Sequence, residues 1–167
     1  MILLPRAAEE LSIPFVASGG MGNGQQLAAA LSMGADGINM GTRFIATKEA
    51  PVHQNVKDAL VAASELDTEL IMRPLRNTER VLSNAAVSSI LEKEKELGDN
   101  IQITDILDEV AGVYPKIMQE GTMEAGAWSC GMVAGLIHDV PSCSELVERI
   151  VSDAEEIIKT RLSKFVA

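Results

Sequence analysis

Residues 13–44 hold two short apolar runs that each end in glycine, with a helix-forming stretch between them. Ile13 to Ser18 has no polar alternation, the pattern of a strand covered on both faces, and Gly37 to Gly41 is a second such run. Asn23 to Met33 reads as a helix. Leu27, Ala28 and Leu31 give it an apolar side, Gln25 and Gln26 are polar, and Gly34 supplies a stop. A strand, glycine loop, helix and strand in this order make the two strands parallel, joined by a right-handed crossover, so both carboxyl ends open on the same side of the sheet.

Two turns on one side face one ligand. Gly19, Gly20, Gly22 and Gly24 let the backbone take positive φ and approach an oxyanion, while the N–H groups that open the next helix point toward it. Gly41 and Thr42 add another N–H and a hydroxyl. Paired loops of this kind recur as a phosphate site at the last two strands of (β/α)8 barrels. Two commoner glycine loops do not fit. Gly19 and Gly24 have the spacing of a P-loop, but Gln25 and Gln26 stand where lysine and a hydroxyl are needed. A dinucleotide fingerprint needs a third small residue at Gln25 and an acidic residue closing the next strand, which instead ends in Asn39, Met40 and Gly41.

The chain has 167 residues, 47% hydrophobic and 23% charged, which suits a globular protein with a core. Its formal net charge of −10 disfavours nucleic acid and anionic membrane surfaces as partners. The opening segment Met1 to Leu11 has no long apolar stretch and reads as neither a signal peptide nor a membrane span, so a cytoplasmic location is expected. Cys130 and Cys143 read as free thiols. His53 and His138, the only histidines, have no second ligand at a metal-binding spacing, so no metal site is expected.

Along the chain, Met1 to Leu11 reads as a helix with no strand before it. Val52 to Glu65 reads as a helix with Pro51 suited to its first turn. Asp67 to Arg80 is mixed, with part of it read as extended, and carries the basic cluster Arg73, Arg76 and Arg80. Ser83 to Leu97 is helical, and Ile103 to Gln119 is a further helical segment capped by Thr104 and broken at Pro115. Ser142 and Glu145 form a capping box for a last helix running to about Phe165. Its inward residues are Leu146, Ile150, Ala154, Ile157 and Leu162, and Glu145–Arg149 and Glu155–Lys159 are its expected pairs. Two strands among half a dozen helices leave sheet edges that need neighbours. The expected sources are further residues of a longer chain, a separate subunit or a swapped copy.

The run Ile13 to Met21, with Gly24, Leu27 to Ala30, Gly34 to Gly37 and Met40-Gly41-Thr42-Arg43-Phe44, resembles the nitronate monooxygenase family, whose cousins are flavin-dependent enoyl-acyl-carrier-protein reductases. Glu124 to Met132 and Gly135 to Ile137 resemble the family's C-terminal segment that returns to the flavin. The resemblance implies an α/β fold: the C-terminal part of an FMN-dependent TIM (β/α)8 barrel, about its last two strands, plus a helical C-terminal lobe. Residues 1–66 would be the partial barrel with the FMN phosphate loops, and 67–167 the lobe. Ser18, Gly19, Gly20, Gly41 and Thr42 would contact FMN. The implied substrate is a small nitronate oxidised with O2, or an enoyl thioester reduced with NAD(P)H, in a protein that is a homo-oligomer or is completed by a missing N-terminal half; the alternative of another class is a non-catalytic remnant that binds phosphate or FMN. The family's catalytic histidine lies in a Gly-Gly-His segment, and neither His53 nor His138 has that context, so no catalytic residue is assigned. Arg43 is left between a phosphate or carboxylate ligand and an ion pair. Cys130 reads as packing beside Trp128, and Trp128 and Met132 are placed toward the substrate.

Overall fold

The computed structural model describes residues 2–166, so Met1 of the expected opening helix lies outside them. Helix α1 (Leu3–Glu10) is followed by strand β1 (Val16–Ser18), helix α2 (Gly24–Ser32) and strand β2 (Gly37–Asn39). The strands are parallel, with Val16 opposite Gly37, Ala17 opposite Ile38 and Ser18 opposite Asn39. Asn23 caps α2 by accepting from the Gln26 amide at 2.9 Å, which satisfies one of the free N–H groups at the helix start. Gly34, at φ 94°, ends this turn of chain in a conformation that favours glycine. A β-carbon there would meet Ala8 Cβ at 2.5 Å, so α1 lies directly against it.

The strands differ from expectation in one respect. Only Ala17 of β1 is buried, while Ile13 is 67% and Val16 57% exposed. The run is apolar enough for a strand covered on both faces, but its sheet has two strands and neither has another neighbour among the described residues.

After β2 come the short helix α3 (Thr42–Ile45) and α4 (Gln54–Ala62). The expected start of α4 at Val52 is corrected, because His53 is its N-cap: Nδ1 accepts from the Asn55 amide at 3.1 Å, and Pro51 lies ahead of the helix. The mixed segment that follows folds as an antiparallel hairpin of β3 (Thr68–Ile71) and β4 (Glu79–Leu82). Among the described residues there are therefore four strands in two sheets, not two strands, and the C-terminal lobe is not wholly helical. Neither strand alternates cleanly, and the connecting turn uses positive φ at Met72 and Arg76 rather than at a glycine. Pairing is instead favoured by burial of Ile71 and Val81, by Arg80 Nη1 donating to Thr68 Oγ1 at 2.8 Å, and by the bridge from Val81 to Ser129.

Asn84 caps α5 (Ala85–Leu97). The 103–119 segment is a 3-10 turn (Ile103–Ile106), α6 (Leu107–Val110) and a π turn (Pro115–Gln119). Gln102, not Thr104, caps it, because Asp105 answers with a bond to the Gln102 amide at 2.8 Å. Helix α7 (Cys143–Glu156) begins at the expected box of Ser142 and Glu145, and Leu146, Ile150 and Ala154 are its buried face. That face stops at Ala154: Ile157 is half-buried and Leu162 exposed. The Glu155–Lys159 pair forms at 2.5 Å, but Glu145 and Arg149 do not pair. Glu145 accepts from the Ser142 amide at 2.7 Å and meets Lys48 at 3.3 Å, while Arg149 turns to Asp139. These bonds to Ser142 and Lys48 pull the Glu145 carboxyl down to about 2.

The largest core joins Val56 and Leu60 of α4 to Ile117, Met118, Trp128, Cys130, Ala134 and Ile137. Helix α7 packs along α2, tying the C-terminal lobe to the glycine unit. No helix among the described residues is long and apolar enough to cross a membrane.

Candidate functional site

The register of β1 and β2 sets Ser18 beside Asn39, so the Gly19–Gly20 turn and the Gly41–Thr42 turn leave the sheet at the same end. Gly19 and Gly20 have φ of 93° and 71°. A β-carbon at Gly19, Gly20 or Gly41 would meet nothing within 4 Å. Left-handed backbone beside open space is what a close approach by a ligand requires. Among the described residues, the amides of Gly20, Gly41 and Thr42 donate to no turn, loop or cap acceptor. The chemistry offered is that of an oxyanion cradle made of unpartnered N–H groups at the ends of two parallel strands.

Gln26 holds the first turn in shape. Its Oε1 accepts from the Gly22 amide at 2.7 Å and its Nε2 donates to the Gly20 carbonyl at 2.5 Å. Sequence reasoning read Gln26 only as polar surface. The signal was available, because Asn followed three residues later by Gln is a capping-box spacing, and Gln26 is the third residue after the Asn23 cap. The carbonyl and N–H of a trans peptide point in opposite directions, so anchoring the Gly20 carbonyl turns the Met21 N–H away from Gln26.

The second turn is held from the lobe. Thr42 Oγ1 accepts from the Gly131 amide at 3.0 Å, which leaves its own proton free to donate. The segment after Gly131 also approaches the first turn: Met132, Val133, Gly135 and Leu136 line a cavity of about 340 Å³ with Gly20, Gln26 and Glu65. Met132 thus stands beside the first glycine turn. Trp128 is buried in the core and borders a different cavity, of about 320 Å³, with Ile45, Val113, Tyr114 and Met118.

Arg43 resolves to an ion pair. It is 2% exposed and donates through Nη2 to Asp139 Oδ1 at 3.3 Å, to the Asp139 carbonyl at 3.0 Å and to the Ala46 carbonyl at 3.2 Å. Burial lowers its pKa, partly offset by Asp139, while the Arg149 guanidinium together with Arg43 holds the Asp139 carboxyl below the usual range.

Burial pushes the Cys130 thiol up to about 11, so little thiolate is present near neutrality. Cys143 is only partly buried, and no disulfide joins the two. At pH 8, a disulfide exchange reagent is expected to label one thiol rapidly, at Cys143. Cys130 becomes labelled only after denaturation, and fast release of two equivalents from the folded protein would contradict this. His53 is occupied as a helix cap, and His138 is exposed. No cluster of three metal-ligating side chains occurs among the described residues.

A family model described as nitronate monooxygenase matches residues 1–153. A curated relative from Rhodococcus jostii (strain RHA1), (3aS,4S,5R,7aS)-5-hydroxy-7a-methyl-1-oxo-octahydro-1H-indene-4-carboxyl-CoA dehydrogenase, is 30% identical over 187 positions, covering 92% of this chain and 53% of the relative. A probable nitronate monooxygenase from Staphylococcus saprophyticus is 29% identical, covering 95% of this chain and 43% of the relative. Among solved structures, FabK from Thermotoga maritima matches with a TM-score of 0.90 at 30% identity, covering 99% of this chain and 51% of that one. Nitroalkane oxidase from Streptomyces ansochromogenes matches with a TM-score of 0.73 at 25% identity, covering 95% of this chain and 44% of that one. The chain spans about half the length of the curated relatives it matches, and its α/β fold is similar to these solved structures.

Proposed function

The chain belongs to the nitronate monooxygenase family, and from that premise we propose that it carries the cofactor-phosphate site of an FMN-dependent oxidoreductase acting on nitronates. The observation that carries this reading is the pair of glycine turns at one end of β1 and β2, with left-handed backbone at Gly19 and Gly20, amides of Gly20, Gly41 and Thr42 that donate to no turn, loop or cap acceptor, and space where β-carbons would stand. Those features fit a phosphate monoester, which offers several acceptor oxygens and needs donors without competing carboxylates. The Gly19 and Gly20 backbone, the Ser18 hydroxyl, the Gly41 amide and the Thr42 hydroxyl hold the phosphate. The Gly131 amide bond to Thr42 Oγ1 leaves the threonine proton available for it. In this reading β1 and β2 are the seventh and eighth strands of a (β/α)8 barrel, residues 1–66 the barrel part and 67–167 a lobe of helices with one hairpin. The bare outer edges of the β1–β2 sheet support that placement.

FMN, when bound, supplies the two-electron chemistry and exchange of electrons with O2 or NAD(P)H. The residues of this chain bind and orient its phosphate. Proton abstraction is assigned to none of them, since His53 and His138 have other surroundings and Cys130 is kept protonated.

A second reading, an FMN-dependent enzyme acting on acyl thioesters, is favoured by the carboxyl-CoA dehydrogenase of Rhodococcus jostii and by the close match to FabK. One measurement separates the two. With FMN and the complete polypeptide, oxygen uptake driven by a nitronate supports the first. NADH oxidation driven by crotonyl thioester, without oxygen uptake on the nitronate, replaces it with the second. Failure of the protein to hold FMN contradicts both.

A further inference from the structure

The two phosphate turns are braced from the lobe through a single carboxylate. Arg149 of α7 grips Asp139 with both terminal nitrogens, Nη1 to Oδ2 at 2.7 Å and Nη2 to Oδ1 at 3.1 Å. Asp139 in turn accepts from the buried Arg43, through both its carboxylate and its carbonyl. Arg43 is joined to Thr42 in sequence, and its stem also reaches the first turn: a β-carbon on Gly22 would lie 3.6 Å from Arg43 Cβ and 3.7 Å from Cγ. One side chain thus borders the Gly22 end of the first turn and belongs to the second.

What lies beneath the first turn makes this brace consequential. Gly22, Asn23, Arg43, His138, Asp139 and Arg149 border a cavity of about 290 Å³. Packing alone fixes a backbone only where atoms fill the space behind it, and here polar bonds span part of that space. Removing Asp139 leaves Arg43 buried with its charge uncompensated, and its Nε already lacks a partner. The two guanidiniums would then repel each other, and Arg43 would shift both turns as it sought another acceptor.

We propose that Asp139 is a positioning residue for the phosphate end of the cofactor. Acting through Arg43, it lets helix α7 set the spacing between the Gly19–Gly22 turn and the Gly41–Thr42 turn. The inference rests on the phosphate reading of those turns. Its readout is selectivity between FMN and riboflavin, which share the ring system and differ by the phosphate.

The experiment titrates FMN and riboflavin into the complete polypeptide and into its Asp139→Asn variant, following quenching of flavin fluorescence. Asn keeps the shape and removes the charge. FMN affinity is expected to fall about tenfold while riboflavin affinity stays within about twofold, and Asp139→Glu is expected to recover part of the loss. A parallel loss for both flavins would mean general loosening and overturn the proposal, as would unchanged FMN affinity. Should Asp139→Asn not fold, Arg149→Met removes the outer arm while leaving the inner pair. It is expected to give a smaller loss that is again confined to FMN, and an equal loss for both flavins would overturn the proposal. An unsubstituted protein that binds both flavins equally would overturn the phosphate reading itself and this proposal with it.

Discussion

Replacing Gly20 with valine is expected to abolish FMN retention while leaving most of the fold intact. The two effects separate because of what surrounds this residue. At φ 71° an L-residue costs about 1–2 kcal/mol, and a β-branched one more. That strain is local, since a β-carbon at Gly20 meets nothing within 4 Å. The added methyls therefore occupy the open side of the turn, where a phosphate has to approach the Gly20 and Met21 amides. The ratio of flavin absorbance at 450 nm to protein after gel filtration is expected to fall to background. His53→Ala is the control. It removes the α4 cap, costing about 1 kcal/mol of stability, and keeps full flavin occupancy because it lies outside the cradle. Stoichiometric flavin in the Gly20 variant would refute the assignment of the first turn.

Gly24→Ala is expected to destabilise the protein and loosen the cofactor from a distance. In a helix alanine ordinarily gains about 1 kcal/mol over glycine. At Gly24 the sign reverses, because a β-carbon would overlap Asp153 Cβ and stand 2.8 Å from both the Ala154 amide nitrogen and the Ile150 carbonyl oxygen. Two of those three atoms are backbone of α7, so relief requires moving the helix. Overpacking of this kind costs roughly 1–3 kcal/mol, and each kcal/mol lowers the melting temperature by about 2–4 °C in a chain of this size. Calorimetry is expected to show that loss, together with weaker FMN binding, since α7 carries Arg149. Gly98→Ala, where nothing lies within 4 Å, lacks this clash and carries only the strain of its φ of 53°. Equal melting temperatures for Gly24→Ala and the unsubstituted protein would mean that α2 and α7 do not pack this closely.

Much of this was legible because it is local. Ser142 with Glu145 is a cap whose partner lies three residues away, so spacing alone finds it; the Asn23 cap on Gln26 has the same spacing and was missed. Gly19 and Gly20 are legible for the same reason, because backbone conformation is written at the residue that adopts it; the positive φ expected at Gly22 and Gly24 is not found, and these two are glycine because Val133 and Asp153 pack where a β-carbon would stand. The hairpin was legible only as a partly extended segment, without its pairing. Thr68–Ile71 and Glu79–Leu82 have no clean alternation and no glycine turn, and they become strands by pairing with each other and with Ser129. The Arg149 partner was misjudged on similar grounds. Glu145 stands at helical spacing, yet it is engaged by Ser142 and Lys48, and Asp139 offers two oxygens from a separate loop.

The sequence by itself determined the parallel pair of strands, the helix between them and a glycine turn at each strand end, because crossover length and glycine content act over a few residues. It also singled out the residues for which we propose an oxyanion cradle. Only the tertiary structure decided how that cradle is held: by Gln26 within the first turn, by Gly131 on Thr42, and by Arg149 through Asp139 on Arg43. The last two of those contacts join residues about ninety positions apart. Thr42 with Gly131 is a neutral bond and Arg43 with Asp139 a charged pair whose guanidinium is buried, and no local pattern records either partner.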